Sequence, residues 1–519
     1  MMKLKSYLSM IVALAVLTTL ISGCSSSNKE QDTKTSIQTT QQSTSTQPVT
    51  IKLIGRKLSQ ANPDNPIKPI IEKKLGITLD IDWRAPSDYG QQCQVILSSG
   101  SFPDMMEVWW SNAPAAFDDF AKSGQIIPLD DLINQYGPNI QKARTPGTWW
   151  KAPDGKIYGV PCRYAEMTDD CILIRQDWLD NLGLKAPTSL EELYNVAKAF
   201  TLNDPDQNGK QDTVGIGEGK DYGGTHVLLY ATYGVQWNQW NLVNDKMVWW
   251  GIRPEALEAA KEYRKLYQDG FVEQEFPILG RSEYIKKMNA SKYGIFWAQP
   301  TQMTESTSDQ WREFVTTNPT AKISVLKPFA KAGVDKPTFG GVPELQFINQ
   351  VIFKDAKNPE KCIQLLDYLA TDEGSDLANF GIKGQTWEDN NGKFAYKNLS
   401  PDEMKVSGAG LYPWLFKQKY FLKNSSDLAL SAAETYKPYA VRNPMPYATD
   451  VEQKYSPSLK GDPSQGADLT TSTFTKIIVD KNADPDKLWQ DYLDKWNSSG
   501  GKEMTDSVNA EYQKNKTKK

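Results

Sequence analysis

The stretch Val49-Thr50-Ile51-Lys52-Leu53-Ile54-Gly55 alternates apolar and polar residues, the period of a half-buried strand. Residues Asn65 to Leu75, rich in Ile and Lys, read as a helix, and Ile77-Thr78-Leu79-Asp80-Ile81-Asp82-Trp83 alternates again. Tyr89 to Ser99 suits a second helix. Phe102-Pro103-Asp104-Met105-Met106-Glu107-Val108-Trp109-Trp110 reads as a third strand entering a loop. Strands that alternate with helices pair in parallel, because each crossover returns the chain to the same end of the sheet. The expectation is an α/β fold whose ligands bind beyond the carboxyl ends of the strands. Arg56, Trp109, Trp110 and Asn112 stand just past such ends.

Upstream, Lys3 and Lys5 precede a mainly apolar run from Leu8 to Ile21, too short for a comfortable bilayer span. It ends in Leu20-Ile21-Ser22-Gly23-Cys24, which resembles the bacterial lipobox. Residues 1–23 are therefore expected to be a lipoprotein signal peptide, with Cys24 lipidated. Acyl chains such as palmitate would hold Cys24 to a membrane, each buried CH₂ contributing about 0.8 kcal/mol. Residues 24–48 are mostly Ser, Thr and Gln and suit a flexible tether. No later stretch approaches a span, so the remainder is expected to be a body on a leash at the extracytoplasmic face of the cell membrane.

With 519 residues, the chain exceeds one ordinary core, and two lobes are expected. A net charge of −4 offers no basic field for nucleic acid. The chain has one His, His226, and apart from Cys24 its Cys are Cys93, Cys162, Cys171 and Cys362, whose spacing matches no zinc site. Cys162 and Cys171 could bridge, the alternative being buried free thiols. Neither a G-x-S-x-G elbow nor a phosphate-binding loop occurs, and Ser-His-Asp chemistry would have to use His226 itself.

Further along, Ile172-Leu173-Ile174-Arg175-Gln176-Asp177-Trp178-Leu179-Asp180-Asn181-Leu182-Gly183-Leu184 reads as a strand running into a short helix that closes at Gly183. In Ala186-Pro187-Thr188-Ser189-Leu190-Glu191-Glu192-Leu193, Thr188 or Ser189 can cap another helix, with Glu191 or Glu192 near its third position. Asn203-Asp204-Pro205-Asp206-Gln207-Asn208-Gly209-Lys210-Gln211-Asp212 follows. With Asp204 as position 1, oxygen ligands fall at positions 1, 3, 5 and 9, at Asp204, Asp206, Asn208 and Asp212. Gly209 takes the turn at position 6, and Lys210 offers its carbonyl at position 7. The closing Glu at position 12 is replaced by Gly215. The loop is expected to hold a structural calcium ion; a plain Asp/Asn/Gly turn is the alternative.

The strand-Arg-Gln-Asp-Trp-Leu stretch, the Ala-Pro-Thr-Ser-Leu-Glu-Glu-Leu helix start and the Asp-rich loop resemble the family 1 extracellular solute-binding proteins. So do Asn358-Pro359-Glu360-Lys361-Cys362-Ile363-Gln364-Leu365-Leu366-Asp367-Tyr368-Leu369, Asp372-Glu373-Gly374 and Asn379-Phe380-Gly381-Ile382-Lys383-Gly384. The resemblance is to the large Gram-positive lipoproteins of that family. It implies a two-lobe α/β clamshell, periplasmic-binding-protein-like, with discontinuous lobes and a hinge. Lobe 1 would take residues 49–162 and about 322–385, and lobe 2 residues 163–321 and about 386–519. It further implies a monomeric, non-enzymatic receptor that captures an oligosaccharide and delivers it to ABC permease subunits powered by a separate ATPase.

Sugar recognition needs aromatic faces and planar polar groups. Beyond the four residues at the strand ends, the candidates are Arg163, Tyr164 and Glu166 near the hinge, Trp237 and Trp240 in a Gln/Asn stretch, Trp297 after a strand, and Trp387 after the Gly-Ile-Lys-Gly segment. Trp83 and Trp178 are assigned to the core, and Asn244-Asp245-Lys246 to a hairpin turn before Trp249 and Trp250. The rival readings are a binding lipoprotein for a peptide or metabolite, a sensor or folding-factor lipoprotein, and, furthest from the residues, an anchored glycoside hydrolase built on two carboxylates.

Overall fold

The computed structural model describes residues 49–56, 62, 64–84, 89–109, 119–143, 149, 151–152, 154–161, 170–220, 224–300, 303, 309–339, 341–342, 348–390, 393–397, 399–409, 425–442, 449–460 and 468–516. The chain begins β1 (Val49–Arg56), α1 (Ile67–Leu75), β2 (Ile77–Arg84), α2 (Tyr89–Ser99) and β3 (Met105–Trp109). Next come α3 (Asp130–Tyr136), α4 (Pro138–Ala143), β4 (Val160–Pro161), β5 (Cys171–Arg175), α5 (Gln176–Leu182), α6 (Leu190–Leu202) and β6 (Val214–Ile216). Then follow α7 (His226–Thr232), the hairpin β7 (Trp240–Val243) and β8 (Lys246–Trp249), α8 (Pro254–Gln268), α9 (Arg281–Asn289), β9 (Tyr293–Ala298), α10 (Asp309–Thr317) and β10 (Ile323–Val325). After β11 (Gly341–Val342) and β12 (Ile348–Ile352) come α11 (Pro359–Leu369), α12 (Asp372–Phe380), β13 (Trp387–Asn390), β14 (Lys393–Tyr396) and α13 (Pro401–Ser407). The last elements are α14 (Asp427–Tyr436), β15 (Val441–Arg442), α15 (Asp450–Leu459), α16 (Leu469–Val479), α17 (Pro485–Trp496) and α18 (Lys502–Lys516).

The local signals land where the residues place them. The hairpin turns at Asn244 and Asp245, both at positive φ (48° and 62°), the twist that suits a two-residue turn. Gly183 closes α5 at φ 65°, donating its N–H to the Asp180 and Leu179 carbonyls. Ser189 caps α6, accepting from the Glu192 N–H, while the Glu192 carboxylate accepts from the Thr188 N–H and hydroxyl. Those bonds hold the Glu192 carboxyl below its ordinary range.

Two sheets organise the chain. The first has order β2-β1-β3-β12-β4, with β1, β2 and β3 parallel and β12 antiparallel to its neighbours β3 and β4. The second has order β10-β5-β9-β6, with β6 parallel to β9 and β5 antiparallel to both β9 and β10. Each sheet builds its own core. Ile51, Leu53, Ile77 and Leu79 meet Leu365, Leu366 and Leu369 on one face of the first. Leu173, Ile174, Ile295 and Phe296 meet Trp178, Phe200, Leu228 and Tyr436 around the second. A third cluster joins Trp240, Trp249 and Trp250 to Phe474, Tyr492 and Trp496. Trp178 is completely buried, as expected; Trp83 is half-buried at the margin of the first core.

The expected lobe boundaries shift. Ile323–Val325, placed near the return to the first lobe at about 322, pairs with β5 and stays with the second sheet. The backbone remains there through Phe339, which donates to the Tyr439 carbonyl, and reaches the first sheet by Ile348. The third crossing also falls later than 386. Trp387 packs on Phe380, and the Asn62 N–H donates to the Lys405 carbonyl, so the described residues between 387 and 409 stay with the first half. By Ser426, whose hydroxyl donates to the Met303 carbonyl, the chain is back in the second half. Short strands are assigned by their partners, which local sequence does not reveal. Cys171 and Cys362 are buried free thiols, and burial pushes both up. Among the described residues no helix is long and apolar enough to cross a membrane.

Candidate functional site

Strand direction selects one edge of each sheet. In the first, β1, β2, β3 and β4 end at Arg56, Arg84, Trp109 and Pro161, and β12 starts at Ile348 opposite Trp109. In the second, β6 and β9 end at Ile216 and Ala298, and β5 starts at Cys171 beside Ala298. The chain leaves the first of these edges at Pro161 and enters the second at Cys171. Ligand-binding groups of α/β sheets gather at such ends.

Arg56 and Trp109 terminate β1 and β3; their side chains, and all of Cys24, Trp110, Asn112, Arg163, Tyr164 and Glu166, lie outside the described residues. Four candidate rings are described. Trp297 belongs to β9, one residue before its end. It is 6% exposed, its indole N–H donates to the Asp170 carboxylate at 2.7 Å, and the Arg281 guanidinium lies 5.9 Å from its ring. This places Trp297 and Asp170 together at the second sheet's edge. Trp237 is half-buried, 4.5 Å from the His226 ring and 5.9 Å from Trp250.

Trp240 departs from expectation. It is a core residue, 3% exposed, whose indole N–H donates to Glu452 at 2.6 Å while Lys460 lies 5.4 Å from its ring. Its Gln/Asn neighbours suggested a wet loop, but the hairpin is pressed onto α15, and the ring is consumed there. Trp387 is also mostly buried. It donates to the Gly381 carbonyl and stacks on Phe394 at 5.0 Å. With Tyr368, Asp376 and Lys383 it walls a hollow of about 430 Å³ made wholly by the first half.

Glu218, two residues beyond β6, was not singled out from sequence. Its carboxylate is fully buried, accepts from the Gly219 N–H (3.1 Å) and the His226 N–H (2.9 Å), and lies 3.1 Å from His226 Nδ1. A Cβ at Gly224 would fall 1.4 Å from Glu218 Oε1, so only glycine there admits the carboxylate. Burial first, then the Glu218 charge, pushes the Tyr230, Tyr263 and Tyr284 phenols up. The Gly-Glu-Gly run after a strand was the available signal.

The acidic loop is held by its own polar groups. Asp204 accepts from the Asn208 and Gly209 N–H groups at 3.0 and 2.9 Å. The Asn208 amide donates to Asp206 at 2.8 Å and to Asp212 at 3.2 Å, and Lys292 pairs with Asp212 at 2.6 Å. Gln207 and Gly209 turn at φ 55° and 78°. Asp206 Oδ1 is buried without a partner. Burial, then the adjoining Asp204 carboxylate, holds the Asp206 carboxyl above its ordinary range. The donor set is all oxygen, which suits a hard cation. Yet among the described residues no three Asp, Glu, His or Cys side chains converge to hold an ion. Gathering them requires the Asn208 amide and Lys292 to give way.

A family model for bacterial extracellular solute-binding proteins matches residues 60–376. The lipoprotein LipO of Bacillus subtilis is 24% identical over 97% of this chain and 98% of its own. The polygalacturonan/rhamnogalacturonan-binding protein YtcQ of the same organism is 26% identical over 86% of this chain and 87% of its own. The ABC-transporter substrate-binding protein FusA of Streptococcus pneumoniae, solved with kestose, superposes with a TM-score of 0.67 at 22% identity, covering 91% of this chain and 100% of that one. FusA has also been solved as an EF-hand mutant with fructo-nystose. The likeness establishes the fold as a two-lobe α/β clamshell.

Proposed function

Because the chain belongs to the bacterial extracellular solute-binding proteins, we propose that it is the membrane-anchored receptor of an ABC importer, capturing an oligosaccharide between its lobes and passing it to the permease. The observation that supports this reading is that the chain leaves the carboxyl edge of the first sheet at Pro161 and enters the second sheet at Cys171, beside the carboxyl end of β9. Arg56, Trp109, Trp110 and Asn112 would serve from the first lobe, Trp297 from the second, and Arg163, Tyr164 and Glu166 from the connection between them. The names of YtcQ and FusA support a glycan ligand. Ligand contacts from both lobes would favour the closed clamshell. Cys24 would carry the lipid anchor.

The loop from Asp204 to Asp212 would bind calcium through Asp204, Asp206, Asn208, the Lys210 carbonyl and Asp212, as a brace with no catalytic part. The EF-hand mutant of FusA supports this assignment.

The test is thermal unfolding of the full-length chain in nanodiscs, with calcium, against pectic oligogalacturonides, fructo-oligosaccharides and a peptide pool. A ligand that binds only the folded state raises the midpoint by mass action. A rise with one glycan family and no new product supports the reading. A rise with peptides alone, or glycan cleavage, overturns it.

A further inference from the structure

A second cavity, of about 490 Å³, lies in the second half alone. No residue of the first half lines it, which separates it from the interlobe region. Aromatic rings from four segments form its walls, among them Trp237, Trp250, Tyr263, Phe276 and Phe474. Lys220 and Lys476, both exposed, stand at its rim, and neither forms an ion pair with another described residue. The size is that of a small-molecule site, and beside the rings the lining also offers the Thr471, Ser472 and Thr475 hydroxyls and the Asp480 carboxylate.

Three of the lining residues carry buried polar atoms without a partner, one of them the Tyr263 hydroxyl. Trp250, 2% exposed, has a buried indole N–H without a partner, and His226 Nε2 is likewise buried and unpartnered. The tautomer follows from Glu218. A carboxylate only accepts, so the Nδ1 facing it at 3.1 Å carries the proton, and Nε2 is the acceptor in that tautomer of the neutral imidazole. Trp237, half-buried, leans on both His226 and Trp250.

We propose that this cavity binds a small hydroxylated aromatic acid, independently of any ligand between the lobes. Its ring packs among Trp237, Trp250 and Phe276, its hydroxyl donates to His226 Nε2 and accepts from the Trp250 N–H, and its carboxylate faces Lys220 and Lys476. A pyranose fits less well, since those of its hydroxyls turned toward the rings would go unpaired. The bound ring lies against Trp237, so binding reports on tryptophan emission.

The probe is 4-hydroxybenzoate, titrated into the full-length chain in nanodiscs while fluorescence and heat are followed. Saturable 1:1 binding is expected, weakened at least about tenfold for benzoate, which lacks the hydroxyl. Lys476→Ala should weaken it several-fold, and Trp237→Ala should abolish the emission change. Absence of saturable binding, equal affinity for benzoate, binding unaltered by Trp237→Ala, or glucose competing for the site would each overturn the proposal. The benzoate comparison alters no residue, so misfolding of a variant cannot imitate it.

Discussion

Glu452 and Asp206 are both acids removed from bulk water, and the structure treats them oppositely. Glu452 is 4% exposed, yet every charge has an answer: the Trp240 N–H donates to it at 2.6 Å and the Lys460 ammonium pairs with it. In the loop around Asp206 three carboxylates stand with only Lys292 as a partnered cation, and Asp206 Oδ1 meets nothing. A buried acid with its own counter-ion inside the chain is structural. Acids crowded together with one cation among them remain able to receive another. The contrast explains why an aromatic-rich Gln/Asn segment became core while an Asp-rich turn stayed a candidate site.

The comparison can be broken most directly at Glu452. Glu452→Ala leaves Lys460 and the Trp240 N–H unanswered and is expected to cost about 3–5 kcal/mol, read as a fall in the unfolding midpoint. Replacing Glu452 and Lys460 together by Leu and Met should be far milder; an equal loss would show that packing, not charge, holds the cluster. The loop predicts the reverse pattern. Saturating calcium at about 100 times Kd should stabilise the protein by about 2.7 kcal/mol. Asp206→Asn should abolish that gain while leaving calcium-free stability nearly unchanged, both read by differential scanning calorimetry. A third acid, Glu192, is spent on local capping. Ser189→Ala, which removes the hydroxyl accepting from Glu192, should cost about 1 kcal/mol with no effect on calcium binding. The smallest effect is expected from Lys292→Met. Freeing Asp212 from an exposed ion pair of roughly 0.2–1 kcal/mol should tighten calcium binding only up to about fivefold by calorimetric titration.

Much of the fold was legible because its signals are local. The alternation in 49–55 and 77–83 and the Asp-rich spacing each depend on residues within a turn or two of one another. The candidate site was less so. Trp240 stands between Gln239 and Asn241, and Trp297 between Phe296 and Ala298. One is sealed by Glu452, 212 positions away, and the other is tied to Asp170, 127 positions away. Nothing within a few residues of either ring names its partner, and Glu218 escaped notice because its role depends on Gly224 leaving room and His226 turning toward it.

The sequence by itself determined the helix caps at Ser189 and Gly183, the Asn244-Asp245 turn, the order of strands and helices, and the oxygen-bearing loop, since backbone conformation and nearest-neighbour hydrogen bonds decide these. Only the tertiary structure decided which strands share a sheet, where the chain crosses between halves, and which tryptophans are spent on packing. Those outcomes rest on burial, and burial is a property of partners brought from far along the chain.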